Sequence, residues 1–134
     1  MIPVIEIYSE ETHYEMAKSW WEGHGFPPVN ALLLPKLGVI ISSDGVGKAG
    51  AWLYMDNSVG VSMLEWIVTN PENTPRESLK AIKVAVKFLR EQAKAFGYVV
   101  MLATCRQPSL LKVLEKNGFQ KTDENVYHAV SVLE

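Results

Sequence analysis

The feature that most constrains the fold is one junction, "LEWIVTNPENTPRESLKAI", residues 64–82. An apolar, β-prone run passes through a turn-rich linker into a long amphipathic segment. Thr74, Pro75 and Glu77 stand at the N-cap, N1 and N3 positions of a capping box, so the spacing predicts a helix beginning at Pro75. Leu79, Ile82, Val86, Leu89, Ala93 and Phe96 then recur at helical spacing. Lys80, Lys83, Lys87, Arg90 and Lys94 occupy the other side, and Gly97 is the stop. Next comes "YVVMLATC" (98–105), a nearly continuous apolar run of the kind expected of a strand buried on both faces. A strand, a helix and a strand in this order make a crossover, in which the two strands run parallel. The chain therefore reads as α/β.

The flanking segments extend this frame. "PVIEIYS" (3–9) alternates as a first strand, and residues 9–23 read as a helix. Ser9 is its N-cap, Glu10 and Glu11 suit its positive end, and Gly23 or Gly25 stops it. Residues 26–37 hold three prolines and form an irregular connection with room for one short strand. Strands at 38–43, 49–55 and 60–68, joined by the turn sequences "SDGVG" and "DNSVG", make an antiparallel meander. "PSLLKVLEKNG" is a short helix with Pro108 at N1 and Gly118 past its end. "FQKT" (119–122) and "VYHAVSVL" (126–133) read as two closing strands. The predicted order is β-α-β-β-β-α-β-α-β-β, a mixed, mostly antiparallel sheet with helices on both faces, in one domain over residues 1–134.

Composition narrows the function classes. The net charge is −2, which gives no general affinity for nucleic acid. No apolar run approaches the ~20 residues that cross a bilayer, and "MIPVIEIYSEE" lacks the basic n-region of a signal peptide, so a cytoplasmic protein is expected. The single cysteine, Cys105, excludes an internal disulfide and a Cys-based zinc site. It reads as a buried small hydrophobe. His13, His24 and His128 have no metal-ligand spacing, and no metal is expected. Residues 1–24 carry five glutamates against Lys18, an acidic bias that favours a cationic acceptor.

At this level the chain resembles the GNAT superfamily of acyl-CoA-dependent N-acetyltransferases. The likeness rests on "WLYMDNSVGVSMLEWIVTNP", the long helix, "GYVVMLATC" and the "NGF"-ending helix "QPSLLKVLEKNGF". Trp20, Trp21, Phe26 and "LLP" at 33–35 make it similar to short, divergent members of the kind found in phage genomes. The resemblance implies acetyl-CoA as co-substrate and a small-molecule or protein amine as acceptor. It also implies that the strands at 60–68 and 98–104 splay apart near residues 67–70 to admit pantetheine.

Site roles follow from the same resemblance. Glu65 lies on the strand that carries the family's frequent general base, which takes a proton from the acceptor amine. Backbone groups of Ile67, Val68 and Thr69 would bond the thioester and pantetheine, and Gln107 matches a cofactor-contacting helix cap. Asn73, Thr74, Arg76, Glu77 and Ser78 would meet the pyrophosphate, and Trp20, Trp21 and Phe26 would wall the acceptor pocket. Two departures stand out. The family's glycine-rich phosphate loop is here "ENTPRES", without glycine and with Glu77 where phosphates should lie. The family's acidic tyrosine position, four residues before Gly118, holds Leu114, which leaves Tyr98 or Tyr127 as other donors. These departures define a second class, a non-catalytic binding or assembly protein with the same fold. The sequence leaves the oligomeric state open, a homodimer included.

Overall fold

The computed structural model describes residues 2–133. The elements in chain order are β1 (Val4–Ile7), α1 (Glu10–Gly23), a single 3-10 turn (Ala31–Leu33), β2 (Gly38–Ser43), β3 (Val46–Met55), β4 (Val61–Thr69), α2 (Pro75–Ala95), β5 (Val100–Ala103) and α3 (Pro108–Lys116). They build one five-stranded sheet in the order β1-β2-β3-β4-β5. The first three pairings are antiparallel, and β4 pairs with β5 in parallel, as the crossover requires.

Each face of the sheet carries its own core. On one face α2 lays Ala81, Ile82, Ala85, Val86, Leu89 and Ala93 against Val39, Ile41, Leu53 and Leu64, and Leu114 of α3 joins them. On the other, α1 packs Ala17, Trp20 and Trp21 against Ile40, Trp52 and Val68. The Trp21 and Trp52 rings stack at 5.6 Å. Helices thus cover both faces. The capping box at the start of α2 is complete: Thr74 Oγ1 accepts from Glu77 N–H, and Glu77 Oε1 accepts from Thr74 N–H. Asp44 (φ +53°) and Gly45 (φ +76°) form a two-residue turn between β2 and β3, which starts β3 at Val46, earlier than the expected 49.

The structure corrects four local expectations. Residues 26–37 hold no strand, because prolines at 27, 28 and 35 deny ladder donors and the segment curls into the 3-10 turn instead. The closing strands at 119–122 and 126–133 do not form, so the order ends at α3. Their side chains, Val126, Tyr127, Val130 and Val132 among them, are exposed and no ladder reaches them; β-propensity without a paired neighbour makes no strand. For the same reason β5 is an edge strand and is not buried on both faces: Val100 and Leu102 are exposed. The Ser9 hydroxyl caps nothing; its backbone N–H donates to His13 Nδ1 at 2.9 Å.

Candidate active site

The site begins with a backbone irregularity in β4. Trp52 faces Glu65 and Gly50 faces Val68, so Ala51 alone stands opposite two residues, Trp66 and Ile67. This is a β-bulge. At its centre Trp66 has φ +61°, a left-handed conformation that costs a bulky residue roughly 1–3 kcal/mol and persists only where surroundings impose it. The Trp66 side chain is held on this turn of backbone by a hydrogen bond from its Nε1 to Tyr54 Oη at 2.8 Å. The bulge also reverses the side-chain alternation. Leu64 enters the core under α2, whereas Val68, four residues on, enters the core under α1.

Beside the bulge the sheet opens. The β4–β5 ladder ends at Leu64↔Ala103, three residues earlier than the splay expected at 67–70. The edge of Glu65 to Thr69 that would face β5 has no strand partner, which leaves backbone N–H and C=O groups there available to a ligand, Thr69 O excepted, which His24 Nε2 already meets. The gap widens into a cavity of about 840 Å³, within the size range of small-molecule sites. One wall comes from α1 and the loop after it: Trp21, His24, Phe26, Pro27, Pro28 and Leu33. The opposite wall comes from Pro75, Ser78, Leu79 and Ile82 of α2 and from the segment that leaves β5 for α3, including Cys105, Arg106 and Gln107. Leu79 reads in the sequence as a core position but faces this cavity.

Two tyrosines hold the first wall. Tyr14 Oη donates to Val29 O at 2.7 Å, and Tyr54 Oη donates to Leu33 O while accepting from Trp66. His24 Nε2 lies 2.9 Å from Thr69 O, which ties the end of α1 to the end of β4.

Glu65 is half-buried on the cavity surface, and Thr104 Oγ1 donates to its Oε1 at 3.0 Å. Burial pushes its pKa above the ordinary carboxylate range, opposed in part by the Thr104 hydrogen bond and by the nearby His128. A carboxylate so placed binds a proton more readily than a solvated one, as a general base requires. Burial likewise raises the Cys105 thiol, which keeps it protonated rather than nucleophilic.

Of the residues singled out in the sequence, Glu65, Ile67, Val68, Thr69, Ser78, Gln107, Trp21 and Phe26 line this one cavity. Trp20 does not; it is buried in the α1 core against Gly47. Asn73, Thr74, Arg76 and Glu77 also lie outside the lining. The reason at Glu77 is specific. Its carboxylate caps α2 and pairs with Lys48 Nζ at 2.7 Å, which pulls its pKa down to about 2 through the Lys48 and Thr74 hydrogen bonds. The helix end that would attract a phosphate is therefore filled by a carboxylate of the chain itself. Asn73 reinforces the plug, its amide donating to Lys48 O at 2.8 Å and Ser78 Oγ at 3.1 Å. Leu114, at the tyrosine position, is buried in the core; Tyr98 bonds Asp56 O at 2.6 Å, and Tyr127 is exposed. Neither tyrosine lines the cavity.

Sequence reasoning missed Thr104, Arg106, His24 and His128. Nothing in their spacing marks them; three of them reach the cavity only because the β4–β5 ladder stops early and the tail passes nearby. No cluster of three metal-ligating side chains occurs among the described residues, and no helix among them is long and apolar enough to cross a membrane.

No family model matches the sequence, and no curated protein sequence matches it significantly. Solved structures do match the fold. The ribosomal-protein-S18-alanine N-acetyltransferase from Escherichia coli aligns over 91% of this chain and 80% of its own, with a TM-score of 0.72 at 14% identity. N-acetylglutamate synthase from Neisseria gonorrhoeae, solved with coenzyme A and N-acetyl-glutamate, aligns over 92% of this chain and 29% of its own, with a TM-score of 0.66 at 14% identity. A transcriptional regulator from Bacillus halodurans C-125 aligns over 96% of this chain and all of its own, with a TM-score of 0.71 at 12% identity. The fold is that of the GNAT N-acetyltransferases. At these identities the likeness extends to the fold, and activity has to be argued from the site.

Proposed function

We propose that this chain transfers an acetyl group from acetyl-CoA to a primary amine, with Glu65 as general base. The observation that carries the reading is the coincidence of an unladdered β4 edge with a half-buried carboxylate on the same cavity. The thioester arm would lie along Glu65 to Thr69, where free backbone groups can bond the pantetheine amides and the thioester carbonyl. The amine nitrogen attacks that carbonyl and its proton passes to Glu65. The departing thiolate takes a proton from water, since Leu114 offers none. Arg106 is the permanent cation in the lining and supports the phosphate end of the donor; Glu77 would have to leave the α2 terminus before phosphates could use it.

That plug, with Leu114 in the core, favours a second reading: a binding or assembly protein with this fold and no catalysis. A thermal-shift titration with acetyl-CoA separates the two. Saturation at 100 times the dissociation constant adds roughly 2.7 kcal/mol of stability. No shift at millimolar acetyl-CoA would sink the catalytic reading.

A further inference from the structure

We infer that the acceptor is a monoamine carried on an apolar, preferably aromatic, body, and not a polyamine, an aminoglycoside or a lysine peptide. The inference rests on the acetyl-transfer reading and names the substrate class of that same cavity.

Three observations carry it. The cavity that holds Glu65 is also lined by Trp21, Phe26, Pro27, Pro28 and Leu33 of the first wall and by Trp66 of β4, flat or rigid apolar groups that contact a ring with little loss of side-chain freedom. Phe26 and Leu33 remain 44% and 45% exposed at this wall, so apolar surface lies uncovered beside the carboxylate. The charge of the lining is equally specific. Among the described residues Glu65 is its only carboxylate, and the other ionisable side chains around it, His24, His128, Arg106 and Cys105, are cationic or neutral. The acidic bias of α1 does not reach the site, because Glu10, Glu11, Glu15 and Glu22 are exposed and outside the lining. One ammonium can pair with Glu65. A second one on the same acceptor would find no second carboxylate in the described lining and would meet the like charge of Arg106, with cation–π contact to a tryptophan as its one compensation.

The test has a kinetic arm and a binding arm. In the kinetic arm, thiol release from acetyl-CoA is followed with 2-phenylethylamine, tryptamine, spermidine, kanamycin and a lysine peptide. The aromatic monoamines should exceed the others in kcat/KM by roughly tenfold or more. Phe26→Ala should raise KM for phenylethylamine and leave kcat nearly unchanged. In the binding arm, phenylethylamine and spermidine are titrated into the protein without acetyl-CoA, read by the fluorescence of its four tryptophans, of which Trp21 and Trp66 line the cavity. Saturable quenching by phenylethylamine that Phe26→Ala weakens, with little from spermidine, supports the inference even if no amine turns over; in that case only the catalytic reading fails. Spermidine binding or reacting as well as phenylethylamine overturns the inference, and so does the absence of phenylethylamine binding.

Discussion

Thr104 Oγ1 donates to Glu65 Oε1 at 3.0 Å across the gap where β4 and β5 have ceased to pair. The bond favours the ionised carboxylate, whereas burial favours the protonated one, so Thr104 sets how basic Glu65 is.

Glu65→Gln keeps the shape and loses the proton acceptor. Turnover should fall ~100- to 10,000-fold while acetyl-CoA affinity changes little. The loss should shrink as pH rises, because more of the acceptor is then already neutral. Steady-state kinetics on an aromatic monoamine measure both, and full turnover by the variant at neutral pH would reduce Glu65 to a structural residue.

Thr104→Val removes the bond that lowers the Glu65 pKa. The acid limb that Glu65 imposes on the kcat/KM profile should move to higher pH, with the plateau above it retained. A profile superimposable on that of the parent chain would mean that Thr104 does not tune the base.

Glu77 has its folded pKa lowered from 4.5 to about 2. Its contribution to stability is therefore full above pH 4.5 and disappears as pH falls through about 2. Urea unfolding should find Glu77→Gln less stable than the parent chain at pH 7 and equal to it near pH 2. Thr74→Ala, which breaks the other half of the capping box, should cost about 1 kcal/mol. If phosphates bind at this helix end, Glu77→Gln should also tighten acetyl-CoA binding, measurable by calorimetry.

Tyr54→Phe deletes the hydroxyl that accepts from Trp66 and donates to Leu33. Two hydrogen bonds at ~0.5–1.5 kcal/mol each set the expected loss of stability. The acceptor KM should rise more than the acetyl-CoA KM if the bond to Leu33 O, which fastens the loop wall, matters more than the bond from Trp66 at the bulge. Equal changes in both would show that the bulge, rather than the wall, depends on it.

Local chemistry made most of the frame legible. Thr74, Pro75 and Glu77 mark the start of α2 to the residue, because the cap satisfies its backbone from within a few positions; "SDGVG" marks a turn between β2 and β3 but not its two-residue form, which starts β3 at Val46 rather than 49. The bulge was not legible. "LEWIV" is apolar at nearly every position, so no break in alternation betrays that Leu64 and Val68 enter different cores. The tail misled for the converse reason: residues 126–133 carry strand propensity, but a strand also needs an edge to pair with. Of the site, Glu65 and the backbone beside it could be inferred, whereas Arg106 and Thr104 depend on where the β4–β5 ladder ends and His24 on how the end of α1 meets Thr69, both tertiary facts. The lysine partner of Glu77, Lys48, lies 29 residues away and left no trace in spacing.

The wall formed by residues 26–33 contributes no strand to the sheet and is fastened by two side-chain hydroxyls, Tyr14 of α1 to Val29 and Tyr54 of β3 to Leu33. It behaves as a removable cassette. Its length and composition can drift while the two anchoring carbonyls stay in place, and neither the β4 bulge nor the donor cleft needs to be rebuilt. Grafting a polar or acidic loop in place of residues 30–32, between those anchors, would change one wall of the cavity while Val29 stays in the core under α1.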